Sequence, residues 1–597
     1  MGRSGFIFLF LLSVHSVPLV GQMQESSPRS SQPPTDSPLW CRHVILVYVK
    51  PSGKDADFWT KENFAWLAAY CDKDGRPADL FFDGFLITGF ECKDGRNLLH
   101  VTECGPAVKS DWQDALQYYL ATARKLSQAF EEVRAKLNQP NAKGKVILAM
   151  PCPDTRQRDF GEVNGSALNF AKDEDRIRAM KWYVDTAVAM WQNLSKSGQL
   201  NGVELVGFYW GNEGIHGRDA AVAKATVDYV HEKGYLMHWI PYPGGARKDW
   251  KKIGFDCVTQ QINYQSPYKP GTPLTAFDKR TAQAEAWGMH GMEMCPMARE
   301  TSLNPRIWIW HQVFLANLDA ALRLRWDRFP ALTYYHGDHL PKMGRIPQTH
   351  VFYEQLHRWV KGRLTEENVR QLSVAVLDEL KRRGHIDDET HVKIAAAPTV
   401  LERLERMEEY RLDGLRKEFE KRLAAHSQVS GNLLPNGSFE NDMVGWPAHS
   451  GPAERTQEKA RDGQWSLHLA AEPGDGADVL RACAQSANVP VQPGRIVRLS
   501  AWLYLPGDMK ETERGLIIGL SRYQRGKQVA NWTSCEARRT QATKGWEQLS
   551  VYLPVDDAPC DEVQAIVGMC GVGAAYVDAV ELVTFSKPSD ATQPGRK

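Results

Sequence analysis

Two glutamates have the residue type and the setting for acid–base chemistry. Glu213 follows the predicted strand Val203–Trp210, and Glu293 lies inside the predicted strand Met289–Met294. A carboxylate is costly to bury without a partner, so Glu293, which has apolar neighbours, is expected to have a partner or a function. Two carboxylates at one site can supply the acid, the base or the nucleophile that cleaves a bond at an acetal carbon.

The spacing of the two glutamates fits a barrel of repeated strand–helix units. Eighty residues separate Glu213 from Glu293, which corresponds to three units of about 27 residues each. The carboxyl ends of all strands in such a barrel face one mouth, so we expect both side chains there. A plainer interpretation stays open for each residue, because Glu213 can be a loop carboxylate at a helix start and Glu293 a structural ion-pair partner.

The segments that must position these glutamates alternate between strand-like and helix-like patterns from Cys41 to about Gly362. The predicted strands are His43–Val49, Leu80–Ile87, Lys145–Met150, Val203–Trp210, Tyr235–Ile240, Phe255–Gln260, Met289–Met294 and Pro330–Tyr335. Most are followed by a segment with helical periodicity. This pattern predicts an α/β fold, a (β/α)8 TIM barrel. An open doubly wound sheet is the alternative, although no G-x-G-x-x-G follows the first strand.

Further side chains near the predicted strand ends can contact a substrate. Aromatic rings stack on sugar faces and amides bond hydroxyl groups, so these residues are predicted to bind substrate. They are Asp83, Trp210, Trp239, Tyr242, Asn263, Tyr264 and Tyr335. Asp83 lies mid-strand in the predicted strand, and a buried structural carboxylate is the alternative for it.

A metal site is the main rival to this interpretation. His336, Asp338 and His339 lie within four residues, and histidine and aspartate bind transition metals. A metallohydrolase would need further ligands, and neither an H-E-x-x-H motif nor a G-x-S-x-G nucleophile elbow occurs. The sequence therefore predicts no cofactor for catalysis.

Composition limits the class of protein. The 597 residues carry a net charge of +1 and are 24% charged and 43% hydrophobic. This balance predicts a folded protein without the basic excess that nucleic-acid binding uses. The 19 tryptophans are a high aromatic load that is compatible with sugar binding. The sequence leaves the oligomeric state open.

The chain ends and the cysteines indicate export. One arginine and a short apolar run predict a signal peptide, and the run is too short to span a membrane. Cys92 and Cys104 flank a short polar loop, so an exported chain can pair them. The predicted organisation is a signal peptide (1–21), a flexible leader (22–40), the barrel (41–362), a helical linker region (363–428), a β-sandwich (432–586) and a disordered tail (587–597). The protein is thus expected to be secreted or periplasmic.

The placement of the glutamates resembles the large clan of retaining glycoside hydrolases on (β/α)8 barrels. In that clan Asn-Glu ends strand four and a second Glu ends strand seven. The resemblance implies that Glu213 is the acid/base, that Glu293 is the nucleophile, and that Asn212 bonds the sugar 2-hydroxyl. The clan usually has a tryptophan platform after strand eight, where this chain has Tyr334 and Tyr335.

The stretch from His43 to about Gly362 also looks like a bacterial secreted family that is labelled only as a domain of unknown function. Phe82-Asp83-Gly84-Phe85, Gly207-Phe208-Tyr209-Trp210 and Gly291-Met292-Glu293-Met294 carry this likeness. It implies a barrel of glycosidase type and names no substrate.

The C-terminal region looks like the jelly-roll carbohydrate-binding modules of secreted polysaccharide-degrading enzymes. The likeness rests on the opening Asn432–Glu440, on Asp462–Leu467 and Val491–Gly494, and on the closing Tyr576–Val580. It implies a structural calcium ion near Glu440 and Asp578, whose oxygen atoms suit calcium. Trp502, Tyr504, Tyr523 and Trp532 are candidate platforms for glycan.

These observations lead to one expectation and one alternative. We expect a secreted, retaining glycoside hydrolase that cleaves a polysaccharide or other glycan with Glu213 and Glu293. The alternative is a non-catalytic glycan-binding protein at the cell surface or in the periplasm, built on the same barrel. The sequence leaves open the sugar, the linkage and the choice between endo and exo action.

Overall fold

The structure is a computed structural model that forms two compact units. It describes residues 41–51, 57–215, 217–242, 245, 248–264, 274–297, 307–335, 337–472, 480–509, 515–532, 535–555 and 560–586. The predicted signal peptide, leader and tail lie outside these residues. One unit holds the chain up to Arg406 and the other begins at Met407.

Eight parallel strands form a closed barrel in which each strand pairs with its neighbours in chain order. The strands are β1 (His43–Tyr48), β2 (Gly84–Thr88), β3 (Gly144–Met150), β4 (Val203–Trp210), β5 (Leu236–Trp239), β6 (Cys257–Gln261), β7 (Gly291–Met294) and β8 (Ala331–Tyr334). Their apolar runs are buried on both faces, as parallel strands covered by helices require. The predicted (β/α)8 fold is confirmed, and the open sheet is excluded.

Helices separate the strands and cover the barrel. They are α1 (Lys61–Ala68), α2 (Lys109–Lys136), α3 (Asp173–Lys196), α4 (Asp219–Glu232), α5 (Trp250–Ile253), α6 (Ala276–Ala286), α7 (Ile307–Arg323), α8 (Leu340–Arg345) and α9 (Pro347–Val360), with 3-10 turns at Trp326–Arg328 and Gly337–His339. Two short hairpins lie between them, Ala69–Cys71 with Pro77–Leu80 and Glu162–Val163 with Ser166–Ala167.

A polar contact across the barrel shows which side chains point inward. Thr259 of β6 and Thr333 of β8 share a hydrogen bond of 3.0 Å between their Oγ1 atoms, although β7 lies between their strands. Nε2 of His238 on β5 lies 3.3 Å from the Oγ1 atom of Thr259. Paired residues of neighbouring strands share a face, and successive residues of a strand alternate. Glu293, which pairs with Thr333, and Tyr209, which pairs with His238, therefore point inward.

Close backbone packing fixes the start of β7. A Cβ atom on Gly291 would lie 1.7 Å from the carbonyl oxygen of Ala331 on β8. Only glycine allows the two strands to approach this closely. The register that aligns Glu293 with Gln261 and Thr333 depends on this approach.

The predicted helical region consists of three helices, α10 (Glu366–Arg382), α11 (Asp388–Ala395) and α12 (Val400–Ala424). The first of these packs against α7 of the barrel. Near the other end of the region, Phe419 of α12 packs on Ile496 within the second unit.

The second unit is a sandwich of two antiparallel sheets around one apolar core. Its strands are β9 (Ser427–Gln428), β10 (Ala448–Ser450), β11 (Ala453–Thr456), β12 (Ser466–Ala471), β13 (Ala482–Pro490), β14 (Ile496–Tyr504), β15 (Leu516–Gln524), β16 (Lys527–Ala530), β17 (Glu536–Arg539), β18 (Glu547–Pro554), β19 (Glu562–Met569) and β20 (Gly573–Ser586). One sheet has the order β11-β12-β20-β14-β18, with β9 beside β20. The other has the order β10-β13-β19-β15-β16, with β17 beside β15.

The cysteines differ from the expectation of disulfides. Each of the eleven is a thiol in the structure, and nine of them are buried. Cys92 and Cys104, which the sequence allowed to pair, are also thiols. The Cys92 side chain is half-buried and burial raises its pKa to about 12, which disfavours the reactive thiolate.

Candidate active site

The barrel brings the two predicted catalytic glutamates to one mouth. Glu293 is the third residue of β7 and is 3% exposed. Glu213 follows the end of β4 by three residues and is exposed. The negative charge of Glu213 raises the pKa of Glu293, so the two carboxyl groups lie within electrostatic reach of each other. This juxtaposition is the arrangement that the sequence predicted.

Burial makes the Glu293 carboxyl an unusual group. Desolvation is the largest cause of its raised pKa, and the Glu213 charge adds to it. Within the described part of the chain, its Oε2 atom has no hydrogen-bond partner. Both effects disfavour the ionised form of Glu293.

Three tyrosines complete the cluster at the mouth. Tyr48 ends β1, Tyr209 lies near the end of β4, and Tyr335 follows β8. The rings of Tyr48 and Tyr335 meet edge to face with centroids 5.5 Å apart, and their hydroxyl groups are hydrogen-bonded. Burial, followed by the nearby acidic groups, raises the pKa of Tyr335 to about 12 and that of Tyr209 well above its usual value. All three phenols therefore stay neutral.

Sequence reasoning predicted Tyr335 at the mouth but did not single out Tyr48 or Tyr209. The signal for both is the two-residue alternation of a strand. Val44 pairs with the inward-facing Thr333, so Leu46 and Tyr48, two and four residues further along β1, also point inward. Tyr209 points inward in the same way, two residues beyond Gly207 on β4. Marking every second residue of each predicted strand up to its carboxyl end would have identified Tyr48 and Tyr209.

Tyr242 lies beside the loop that carries Glu213. A Cβ atom on Gly245 would lie 2.5 Å from Cε1 of Tyr242 and 2.6 Å from the carbonyl oxygen of Glu213. The turn after β5 is thus packed directly on the Glu213 backbone. Asn212 belongs to the same loop, where its Nδ2 lies 3.5 Å from Sγ of Cys152 and its Oδ1 accepts the N–H of Gly214 at 3.2 Å.

The structure does not bring Trp210 and Trp239 into this cluster. They pair with each other on β4 and β5 at the positions that alternate with the inward-facing Tyr209 and His238. Trp210 is 1% exposed and Trp239 is 0% exposed. Trp239 stacks on Phe255 and donates its indole N–H to the carbonyl oxygen of Asn212 at 3.0 Å. Both tryptophans thus face the helical layer, and the hydrogen bond from Trp239 holds the backbone of the Glu213 loop at Asn212.

Asp83 lies at the opposite end of the barrel. It immediately precedes β2, and its carboxylate accepts the backbone N–H groups of Arg42 at 3.2 Å and His43 at 3.1 Å. Burial raises its pKa despite these bonds. Its predicted place at the mouth is corrected, because the strand begins after it, and these bonds support the structural alternative.

Asn263 and Tyr264 follow the carboxyl end of β6. Asn263 adopts a left-handed backbone conformation with φ of 58°, which asparagine tolerates better than most residues. The Tyr264 ring is 9% exposed and packs on Phe277 of α6, with centroids 5.1 Å apart. Asn263, which is half-buried, is the more accessible of the two.

The alternative metal site at His336, Asp338 and His339 lies only partly within the described residues. Nε2 of His339 lies 3.5 Å from an oxygen of Asp338, while His336 lies outside the described residues. Among the residues that the structure does describe, no group of three histidine, cysteine, aspartate or glutamate side chains is placed to hold a metal ion.

Glu440 and Asp578 converge on one loop of the sandwich. Oε1 of Glu440 accepts the backbone N–H groups of Gln464 and Trp465, both at 2.9 Å. Oδ2 of Asp578 accepts those of Arg461 at 2.8 Å and Asp462 at 3.0 Å. Oδ1 of Asp578 accepts the N–H of Ala579 at 2.6 Å, so both oxygens of this carboxylate bond the backbone.

Cations cover part of the aromatic surface of the sandwich. The Arg461 guanidinium lies 3.7 Å from the ring centroid of Trp502, and Nζ of Lys459 lies 4.4 Å from that of Tyr504. Such contacts are attractive but occupy the ring face. Trp546, 6.0 Å from Tyr504, carries no cation among the contacts described.

Residues 43–358 match the family model described as "Domain of unknown function (DUF4855)", which is more than half of the 597 residues. The chain belongs to the DUF4855 family. The DUF4855 match begins at the first residue of β1 and ends within α9, so it covers the whole barrel and both glutamates. Its description states no activity. No curated protein matches this chain.

The C-terminal sandwich resembles solved carbohydrate-binding modules. A "Family 16 Carbohydrate Binding Module-2" is 22% identical with a TM-score of 0.20, over 26% of this chain and 99% of that chain. The CBM22-1-CBM22-2 tandem domain from Paenibacillus barcinonensis Xyn10C is 17% identical with a TM-score of 0.21, over 28% of this chain and 49% of that chain. The C-terminal family 22 module of Clostridium thermocellum Xyn10B is 17% identical with a TM-score of 0.18, over 27% of this chain and 94% of that chain. These likenesses concern the fold of the module.

Among the described residues, no helix is both long enough and apolar enough to cross a membrane.

Proposed function

We propose that this DUF4855 protein is a secreted glycoside hydrolase whose active site is the barrel mouth. The observation that carries the proposal is the placement of Glu213, after β4, and Glu293, on β7, at the carboxyl end of one closed barrel. Cleavage of a glycosidic bond uses two carboxyl groups, one protonated and one ionised. A coupled pair favours this state because each charge disfavours the ionisation of the other.

The proposed mechanism follows the roles that the sequence implied. Glu213 protonates the leaving oxygen while Glu293 attacks the anomeric carbon and forms a glycosyl-enzyme. Glu213 then takes a proton from water, which attacks the same carbon and frees Glu293. A retaining outcome needs the two carboxyl groups about 5–5.5 Å apart, whereas a wider gap that admits water would give inversion.

The raised pKa of Glu293 works against these roles. A nucleophile must be ionised, yet burial and the Glu213 charge disfavour the ionised form of Glu293. The proposed mechanism therefore requires substrate binding to stabilise the ionised form of Glu293. A group on the substrate that donates to Oε2 of Glu293 would have this effect.

Substrate contacts in this proposal come from the accessible part of the mouth. Asn212, Tyr242, Asn263 and Tyr335 are the predicted binding residues that remain candidates. The sandwich is proposed to bind glycan as well, with Trp546 as a more open platform than Trp502. Secretion is part of the proposal and rests on the signal peptide predicted at residues 1–21.

The test is sugar release by the purified mature chain from a panel of polysaccharides. Reducing ends and product size would be measured for wild type beside Glu204→Gln, a carboxylate that pairs with Lys145 at 2.5 Å near the amino end of β4. Release by both proteins from one polymer class supports the proposal and names the class. Binding to a polymer without release by wild type would favour the non-catalytic alternative.

Removal of Glu213 is expected to be rescued by azide. Glu213→Ala should lose about 10²- to 10⁴-fold of its rate on glycosides with poor leaving groups, because general acid–base help is worth about that much. On an aryl glycoside with a good leaving group, azide should restore turnover by attacking the glycosyl-enzyme directly. Product analysis would show a glycosyl azide of retained configuration. An azide product of inverted configuration would contradict the role of Glu293 as nucleophile.

Calcium is expected to stabilise the sandwich through Glu440 and Asp578. A ligand at 100 times its Kd adds about 2.7 kcal/mol to the stability of the form that binds it. Melting curves with calcium and with a chelator should therefore separate for wild type and coincide for Asp578→Asn. Asp561→Asn is the matched control, since Asp561 also accepts a backbone N–H, that of Arg525. An Asp578→Asn chain that still responds to calcium would contradict the site.

A further inference from the structure

The carboxyl group of Glu293 is buried where no described residue supplies a positive charge. The side chain is 3% exposed, and its Oε2 atom has no hydrogen-bond partner among the described residues. The charged group that acts on it is another carboxylate, Glu213. A buried polar atom without a partner is unfavourable, and at a pocket it indicates a donor that arrives with the ligand.

The groups that face Glu293 come from four other strands and are neutral or acidic. They are Tyr48 of β1, Tyr209 and Glu213 from β4, Gln261 of β6, and Tyr335 after β8. Phenol rings and carboxylates both attract cations. The carboxylates among these groups repel an anionic ligand, and such repulsion contributes to specificity as much as attraction does.

We propose that the mouth binds a glycan whose sugar at the point of cleavage carries a free, positively charged amino group, which pairs with Glu293. This inference rests on the proposed hydrolase function and narrows its substrate to amino sugars without N-acetyl groups. The ammonium group would donate to Oε2 of Glu293. Glycans of uronic acids would be rejected.

The pairing also favours the protonation states that the proposed mechanism needs. An ammonium group beside Glu293 stabilises its ionised form, and Glu213 can then hold the proton. The carboxylate electron pair is then available to attack the anomeric carbon. The leaving oxygen takes the proton of Glu213, and no further reactant is needed.

The test is a binding comparison in a chain whose turnover is slowed by loss of Glu213. Glu213→Gln would be titrated with short oligomers of glucosamine and of galactosamine, each beside its N-acetylated counterpart and an oligogalacturonide, at a pH where the amines are protonated. The comparison chain is Glu213→Gln/Glu293→Gln. Glu213→Gln/Glu454→Gln controls for general attraction of polycations, because Glu454 is an exposed carboxylate of the sandwich.

The expected result is binding of one amino oligomer at least about tenfold tighter than its N-acetylated counterpart. This preference should disappear in Glu213→Gln/Glu293→Gln and remain in the Glu454 control. Equal binding, a preference for N-acetyl or uronic acid forms, a preference that survives loss of Glu293, or binding of none of the oligomers would overturn the inference.

Hydrolysis by wild type separates this inference from the proposed function. Cleavage of a neutral polymer without any amine preference would keep the hydrolase and overturn the amino-sugar assignment. An amine preference that depends on Glu293, in a wild type that cleaves none of the oligomers, would support the binding assignment and contradict the hydrolase.

Discussion

Replacement of Glu293 by glutamine is expected to abolish hydrolysis and to leave the fold intact or more stable. Loss of one member of a catalytic unit costs on the order of 10,000-fold in rate or more. Glutamine has nearly the same shape as glutamate but cannot attack the anomeric carbon. Initial rates on the polymer that wild type cleaves best would measure the loss, and hydrolysis that survives would show that Glu293 is not the nucleophile.

The stability of Glu293→Gln provides a second readout with a defined sign. Burial raises the pKa of Glu293 above its ordinary value of 4.5, so the folded chain keeps a proton that the unfolded chain releases. Wild-type stability therefore falls as pH rises from about 4.5 towards the raised pKa. Glu293→Gln removes this fall, so the free energy of unfolding of the variant should exceed that of wild type at the upper end of the window. Parallel curves for the two proteins would contradict the burial of an uncompensated carboxyl group.

Loss of Arg176 is expected to destabilise the barrel and to weaken catalysis together. Arg176 is 1% exposed and donates to the carbonyl oxygen of Pro153 at 2.8 Å, to Asp173 at 3.1 Å and to Asp219. It thereby ties the segment after β3 to α3 and to the start of α4, which follows the Glu213 loop. Arg176→Met removes the cation that bonds Asp219 and one of the two that pair with Asp173, which keeps Arg218. The expected cost is about 3 kcal/mol, the lower end for a buried pair, because both carboxylates are partly exposed.

Arg178→Met is the matched control for this prediction. Arg178 lies on the same helix, is 48% exposed and pairs with Asp175. Asp175 is buried, but the exposed Arg178 keeps the pair in contact with solvent, so the pair contributes about 0.2–1 kcal/mol. Denaturation midpoints and rates would be measured for both variants. A similar loss of stability in the two would show that Arg176 has no special role in holding the Glu213 loop.

The barrel could be predicted because its signal is periodic and repeated. Each of the eight predicted runs overlaps one barrel strand, and one of the two longest, Val203–Trp210, matches β4 residue for residue. The short hairpins, such as Ala69–Cys71 with Pro77–Leu80, could not be predicted. Their strands are too short to show a hydrophobic periodicity, and they form through contacts between residues. The two-layer sandwich followed from short β-rich runs between turns.

The candidate site was predicted less completely than the fold. Glu213 and Glu293 were found because a carboxylate in an apolar setting is rare. Trp210 and Trp239 were expected at the mouth because they lie near strand ends. Whether a side chain points into the barrel or towards the helices depends on the strand register, and a shift of one residue reverses the direction. Asp83 was assigned to the wrong end because the start of β2 lies later than the apolar run suggests. Register depends on pairing between distant segments, which a single sequence does not display.

The side chains of His238, Thr259 and Thr333 fill the barrel interior beside Glu293 and on its amino-terminal side. These side chains are fully buried and bonded across the interior, with 3.0 Å between the two threonine Oγ1 atoms. These packed side chains leave the carboxyl end of the barrel as the side from which a ligand can approach Glu293. In the proposed hydrolase, substrate and water would enter and both fragments would leave at that same end, so release of product is expected to limit turnover on long polymers.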